Sequence, residues 1–451
     1  MGSKNGRLLL LASIGLLARE TVFADTAVDC TATDKVVAEH VANSDYTFDG
    51  WWHGDRALGD WFGVRTTLED NGVDFFLSTE SDTAGNPTGG RSQGLTYVNS
   101  IEFGMKLDMQ KLTGWQGGSI LIRAVDRNGD NLSEKYIGNF FTAQQVFGSQ
   151  ALMLQSIAVE QKLFSDSLSL KAGRVAMGDD FATSPIYGLY MSNSVDGTPK
   201  SLTTTSAFSC YPGSVWGGRV RYTDLDKQWN ASFGVYQADD RIYIRNKHGL
   251  DFSIRGQDGV TMIAQVGWTP TFARSETKAA NGQITVSGLQ GHYWMGGYIA
   301  LWDIPQFTST ETYDTSYALY WHADQMIYQA EPGTDKGLSI WALFDLAPQQ
   351  NVSLMPYQVA GGLFYKGLIP SRDKDIVMVG ASCGWFSRDY AQQQIAAGQD
   401  DPSSEKVFEI GYRVQLNKFF FIQPNVQYIF DPYGTSTPDA LVLGARVALV
   451  Y

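Results

Sequence analysis

From about residue 73 to the end of the chain, apolar and polar side chains alternate with a period of two, the mark of extended strands with one apolar and one polar face. Ile101, Phe103, Met105, Leu107 and Met109 alternate with Glu102, Gly104, Lys106 and Asp108. Phe408, Ile410, Tyr412, Val414 and Leu416 stand in the same way against Glu409, Gly411, Arg413, Gln415 and Asn417. In the last segment Leu441, Leu443, Val447, Leu449 and Tyr451 share one face, and Gly444, Arg446 and Ala448 the other. The period-two rule yields roughly sixteen strands. They start near Val73, Leu95, Gly118, Ala151, Leu168, Ser214, Trp229, Gly259, Gln283, Thr315, Leu338, Ser353, Asp375, Lys406, Phe419 and Ala440.

An apolar face opposite one that tolerates arginine suits a strand set between lipid and a wet lumen. A soluble β-sandwich shares the alternation, but several segments here sustain it for about ten residues, the length of a membrane strand rather than a globular one. The connections also sort into two populations in alternating order, as periplasmic turns and outer loops do. Leu112 to Gly117, Ser165 to Ser167 and Asp224 to Gln228 are short, while Asp126 to Gln150, Gly178 to Gly213, Asp240 to Asp258 and Asp389 to Glu405 are long. Thr271 to Gly282 reads as a longish periplasmic turn, and Ala347 to Val352 as a short outer loop. The aromatic Tyr451 after the last strand resembles the closing strand of bacterial outer-membrane barrels. The expected fold is therefore all-β, a transmembrane antiparallel barrel of about sixteen strands.

The segment before the barrel divides in two. Lys4 and Arg7 precede an apolar run from Leu8 to Ala18, and Val22-Phe23-Ala24 offers a cleavage site, so residues 1–24 read as an export signal. Residues 25–72 read as a periplasmic segment, with a short helix from Trp61 to Asn71 that braces or plugs the barrel mouth before the domain at 73–451. The run of about ten apolar residues is too short for a membrane-spanning helix, and none of about 18 follows. A formal net charge of −13 argues against nucleic acid as a partner and fits acidic outer loops facing lipid and lipopolysaccharide. The 47 glycines suit tight turns, and the 12 Trp, 22 Tyr and 24 Phe could supply the aromatic girdles of a membrane strand set. Trp294, Trp302, Trp321 and Trp385 are expected in those girdles. Cys30, Cys210 and Cys383 are too few and too scattered for a disulfide scaffold or a metal site.

One catalytic pattern occurs. Gly380-Ala381-Ser382-Cys383-Gly384 matches the elbow of a serine hydrolase, whose order is serine, acid, histidine. The histidines are His40, His53, His248, His292 and His322, all before Ser382, so that order is not met. No two histidines have metal-binding spacing, and neither enzyme activity nor a cofactor is expected.

Gly59-Asp60-Trp61 with Arg65, Leu68 and Gly72, then Lys171 to Val175 with Gly178 to Phe181, then Gln423-Pro424 with Asp431-Pro432, together resemble the carbohydrate-selective porins of the Gram-negative outer membrane, the OprB family. The stretch from Gly59-Asp60-Trp61 through Arg65 and Leu68 to Gly72 is similar to that family's entry motif. Lys171-Ala172-Gly173-Arg174-Val175 with Gly178-Asp179-Asp180-Phe181 is similar to its fifth strand and the start of its third loop. Gln423-Pro424 through Asp431-Pro432 is similar to its penultimate strand; Phe62 departs from the glycine expected there. The resemblance implies a sixteen-stranded barrel, a lumen narrowed by inward loops, and passive uptake of glucose and related sugars. A general diffusion porin with weak ion preference is the alternative, and a β-rich hydrolase using Ser382 a more distant one. Monomeric and homo-oligomeric porins would share the same alternation.

A sugar-selective lumen needs planar donors and acceptors for hydroxyls and rings for C–H faces, held in a site weak enough to release its ligand. Alternation turns Arg123, Glu160, Lys162, Lys171, Arg219, Arg221, Trp341, Glu409, Arg413 and Arg446 inward, and Asp179 and Asp180 open the long loop that could form the constriction. Strict alternation puts Arg174 on the lipid face with Leu170 and Ala172. A charge there costs about 2–4 kcal/mol at the midplane, which favours a bulge after Gly173 that turns it inward, or a place near the rim. His322 is expected to point inward beside Tyr320 as a polar wall group.

Overall fold

The computed structural model describes residues 48–204, 207–278 and 284–451. The expected export signal, the tail before Phe48, Cys30 and His40 lie outside the described residues.

The strands are β1 (Val73–Thr88), β2 (Gly94–Asp108), β3 (Gly118–Gly129), β4 (Leu152–Leu163), β5 (Leu168–Val175), β6 (Val215–Thr223), β7 (Trp229–Ala238), β8 (Gly259–Trp268), β9 (Thr271–Lys278), β10 (Ile284–Pro305), β11 (Thr312–Gln329), β12 (Gly337–Leu346), β13 (Tyr357–Lys366), β14 (Ile376–Trp385), β15 (Ser404–Gln415), β16 (Phe420–Phe430) and β17 (Ala440–Val450). Neighbours pair antiparallel, and β1 closes the sheet on β17 with Ser78 opposite Val450 and Asp82 opposite Arg446. Sixteen of these strands form the wall, each starting within four residues of the position expected from alternation. The other is β9. It pairs only with the first part of β10, Ser275 opposite Ser287, while β8 pairs with the rest of β10, Trp268 opposite Tyr293. The turn expected at Thr271 to Gly282 is thus a hairpin that continues the wall beyond the barrel. Its residues 271–276 are exposed, which explains why no apolar alternation betrayed it.

The apolar face points out. Val220, Phe233, Leu319, Ile340, Phe344, Ile410, Val426 and Leu443 are all exposed, the inverse of a soluble core and what a lipid-facing band requires. At the end of the barrel from which the hairpin projects, Trp229 stacks on Trp268 at 5.3 Å, and Trp268 also meets Phe272 and Tyr293, an interfacial aromatic group. Trp321 and Trp385 face outward as expected of girdle residues, whereas Trp294 and Trp302 pack against the interior cluster. They share strand parity with the buried Tyr298 and Ala300, which decides their side. Because Ile410 sits in the middle of β15 on the outer face, Ile410→Arg is expected to destabilise the barrel by about 2–4 kcal/mol, read as earlier unfolding in urea with vesicle-inserted protein. An unchanged midpoint would mean that this face does not meet lipid.

Helix α1 (Phe48–His53) and helix α2 (Val64–Asp70) precede the wall. Trp61, Phe62 and Gly63 adopt left-handed backbone (φ 50, 61 and 87), so the helix begins at Val64 rather than Trp61. The segment lies across the ends of the closing seam. Ala57 N–H donates to the Val450 carbonyl at 2.9 Å, Arg65 Nη1 donates to the Tyr451 carbonyl at 3.1 Å, and Lys111 Nζ reaches the Glu69 carbonyl. These contacts brace it against the end of β17 and the turn between β2 and β3.

Candidate functional site

The connection between β5 and β6, residues 176–214, runs inside the wall. Its Phe181, Tyr187, Leu189, Tyr190, Met191, Leu202 and Phe208 are buried against inward side chains of the barrel. At its far reach the wall holds the loop mainly by its main chain. Gln423 Nε2 donates to the Leu189 carbonyl at 2.8 Å, Arg446 Nη1 to the Tyr190 carbonyl at 2.9 Å, and Arg413 Nη2 to that of Gly188. The Met191 and Ser192 amides donate to the two oxygens of Glu409, and Gln358 Nε2 donates to the Ser194 carbonyl. Side chains add to this: Trp341 Nε1 donates to Tyr190 Oη at 2.9 Å, and Tyr187 Oη lies 3.0 Å from His322 Nδ1. His322 is fully buried and stacks on Trp294, a wall group as expected.

Arg446 is the densest of these anchors. It forks onto Asp82 at 2.8 and 3.0 Å and also pairs with Glu80 and Asp196, while being 1% exposed. Trp341, Glu409, Arg413 and Arg446 do point inward, but their hydrogen bonds are spent on the loop and its neighbours.

At the root of the loop a second group gathers Glu160, Lys171, Asp180 and Arg219, with Arg221 beside it. Arg219 bridges Glu160 at 2.8 Å and Asp180 at 3.1 Å, Lys171 Nζ meets Asp180 at 2.8 Å, and Arg221 donates to the Asp180 carbonyl. Burial alone would raise the Asp180 carboxyl, but Lys171, Arg219 and Arg221 outweigh it and hold it well below the usual carboxylate range.

Between these anchors, β1 to β3, the connection between β3 and β4 and the loop line a solvent-open cavity with room for about 110 Å³ of water. Arg123 faces it between Glu102 (3.9 Å) and Asp179 (3.7 Å), with Asp179 also accepting from Gln155 Nε2. Glu80, Arg127, Asp196 and Lys200 complete its charged lining. Of the expected site residues, Arg123 and Asp179 therefore come together at the cavity, Lys171, Asp180, Arg219, Arg221 and Glu160 at the root, and Trp341 and Arg413 beneath the loop. Glu80, Glu102 and Arg127 carry the inward strand parity and were readable as lumen groups. Asp196 and Lys200 lie in the loop, where parity has no meaning.

Arg174 is the correction. Its strand partners Ile157 and Trp216 are exposed on the outer face, and the register shows no shift there. Of the two expected places, the inward turn does not occur and the one near the rim does, with Arg174 on the outer face. The connection between β7 and β8 folds over it, accepting from its guanidinium at the Asp251 carbonyl (2.9 Å) and laying the Phe252 ring 5.6 Å away, while the Ser214 carbonyl takes a second hydrogen bond. Shielding by protein removes the cost of a charge facing lipid.

Ser382 lies inside β14 opposite Ala360, where its hydroxyl donates to the Ser194 carbonyl at 3.3 Å. A hydrolase elbow needs its serine at a strand-to-helix turn, and this one is in the middle of a strand.

A family model described as carbohydrate-selective porin, OprB family, matches residues 92–451. A putative porin QuiX of Acinetobacter baylyi is 25% identical over 444 residues, covering 92% of this chain and 98% of its own. Porin B of Pseudomonas aeruginosa is 25% identical over 429 residues, covering 87% of this chain and 91% of its own. In fold, the high-pH structure of Pseudomonas putida OprB superposes with a TM-score of 0.80 over 88% of this chain and 99% of that one, at 24% identity. With a family match over most of its length and a closed sixteen-stranded wall, this chain belongs to the OprB family of carbohydrate-selective porins, channels of the outer membrane.

Proposed function

We propose that the barrel passes small sugars such as glucose down their gradient, through a lumen narrowed by the loop at 176–214. The observation that carries this reading is the cavity wall at Glu102, Arg123 and Asp179. Arg123 stands there between the Glu102 and Asp179 carboxylates, and Glu102 Oε2 has no hydrogen-bond partner. A donor set between two carboxylates is the kind of group that takes the place of water around sugar hydroxyls, and such a site has to stay weak to pass a flux. Tyr211, which also lines the cavity, offers a ring to the C–H face of a sugar. Lipid and lipopolysaccharide are the natural partners of the outer face. A path contained in one barrel works equally in a monomer or a homo-oligomer.

Swelling of liposomes holding the purified protein tests the reading. Glucose is expected to enter faster than uncharged non-sugar solutes of the same size and to saturate at high concentration. Entry ranked by size alone would make the channel a general diffusion porin.

A further inference from the structure

The cavity is not evenly charged. Arg123 has carboxylates on both sides, and Glu80 and Asp196 share Arg446. Arg127 and Lys200, which line the same cavity, have no carboxylate within ion-pair distance among the described residues. Arg127 is 7% exposed; its Nη1 makes one long bond of 3.3 Å to the Phe147 carbonyl, its guanidinium lies over the Tyr211 ring at 4.7 Å, and its Nε has no hydrogen-bond partner. The Lys200 ammonium lies 5.4 Å over the Phe140 ring, and burial pulls its pKa below the ordinary lysine value. A cation removed from water, as Arg127 is, is expensive unless an anion meets it, and with the half-buried Lys200 lining the same cavity the pair leaves a place for an anion of the solute.

Arg127 and Arg123 are four residues apart on the inward face of β3, about 13 Å along the strand. That separation suits a solute with its charge at one end and hydroxyls along the rest. We infer that Arg127 and Lys200 form a carboxylate subsite, so that the channel takes polyhydroxylated monocarboxylates, acids of the sugar-acid type, in preference to the corresponding neutral sugars. The inference rests on the sugar-channel reading, because it assigns the hydroxyl-bearing part of the solute to the Glu102, Arg123 and Asp179 wall.

The test compares sodium gluconate with glucose, two six-carbon polyols that differ mainly in the carboxylate, by their block of potassium chloride current through single channels in planar bilayers. Gluconate is expected to half-block at a concentration about tenfold lower than glucose, the effect of one charge-assisted contact. Lys200→Gln should bring the ratio of the two concentrations back toward one, and Lys200→Arg, which keeps the charge, should retain it. Arg127→Lys, which keeps the charge but not the planar fork, should fall between. Hexanoate, a carboxylate without hydroxyls, separates a plain anion preference from the proposed class, and a block as strong as that of gluconate would overturn the polyol part. Equal block by gluconate and glucose would overturn the inference while leaving the sugar channel standing. Open channels that neither solute blocks would overturn both.

Discussion

Arg446→Ala is expected to release the interior loop from the closing seam and to lower barrel stability by about 3–5 kcal/mol, the usual cost of removing one partner from a buried ionic group. Two things fail together. The Tyr190 carbonyl loses its donor, and Asp82, Glu80 and Asp196 are left facing one another in the interior without their shared cation. The repulsion acts between β1 and the loop, so the loop should swing away and single-channel conductance should rise and become noisier. The temperature at which the folded barrel loses its compact migration in gels should fall. Arg446→Lys keeps a charge but lacks the fork that grips both oxygens of Asp82, so an intermediate result is expected. Conductance and melting both equal to the parent would mean that the loop is held by its apolar contacts alone.

The second large effect is at the root of the loop. Asp180→Asn leaves Lys171 and Arg219 buried with Glu160 as their remaining carboxylate, at a cost of about 3 kcal/mol. The pH dependence has a definite sign. A carboxyl whose folded pKa lies below its unfolded one contributes its full stability above the unfolded value and loses it only as the pH falls through the folded value. With the Asp180 carboxyl held well below its ordinary 3.8, the difference between parent and variant should stay constant from neutral pH down to about 4.5 and close only in strong acid. Urea midpoints measured across that range check it. A difference that vanished already near pH 5 would show that the anchor does not depend on the ionised Asp180.

The wall was legible because its physics has a period. A strand between lipid and water must alternate, so its start could be read to within four residues, and the inward parity of Arg123, Lys171, Arg219 and Arg413 followed from the same rule. Where the period is absent or shared, the reading was incomplete. Strand β9 is exposed over residues 271–276 and has no apolar stripe beyond Phe272, so it passed for a turn. Trp294 and Trp302 look like Trp321 and Trp385 by residue type, and only their parity separates them. Arg174 kept the parity of the outer face because the connection between β7 and β8 shields it, a contact between segments far apart in sequence. The cavity depends on the loop at 176–214, whose Asp196 is placed by its bond to Arg446 and whose Lys200 is placed over Phe140, neither by local pattern. Glu102, by contrast, was in plain sight on the inward face of β2.

The way the wall grips that loop carries a consequence for how such a channel can change. Gln423, Arg413, Arg446, Glu409 and Gln358 bind carbonyls and amides from Gly188 to Ser194, groups that every residue in a chain supplies. These hydrogen bonds are therefore blind to side-chain identity, and selection by the seat falls on the buried Tyr187, Leu189, Tyr190 and Met191. Apart from Asp179 and Asp196, whose side chains bond to the barrel, loop positions that face the cavity can change without new changes in the wall to support them, and a lineage can exchange one diet for another while inheriting the same scaffold.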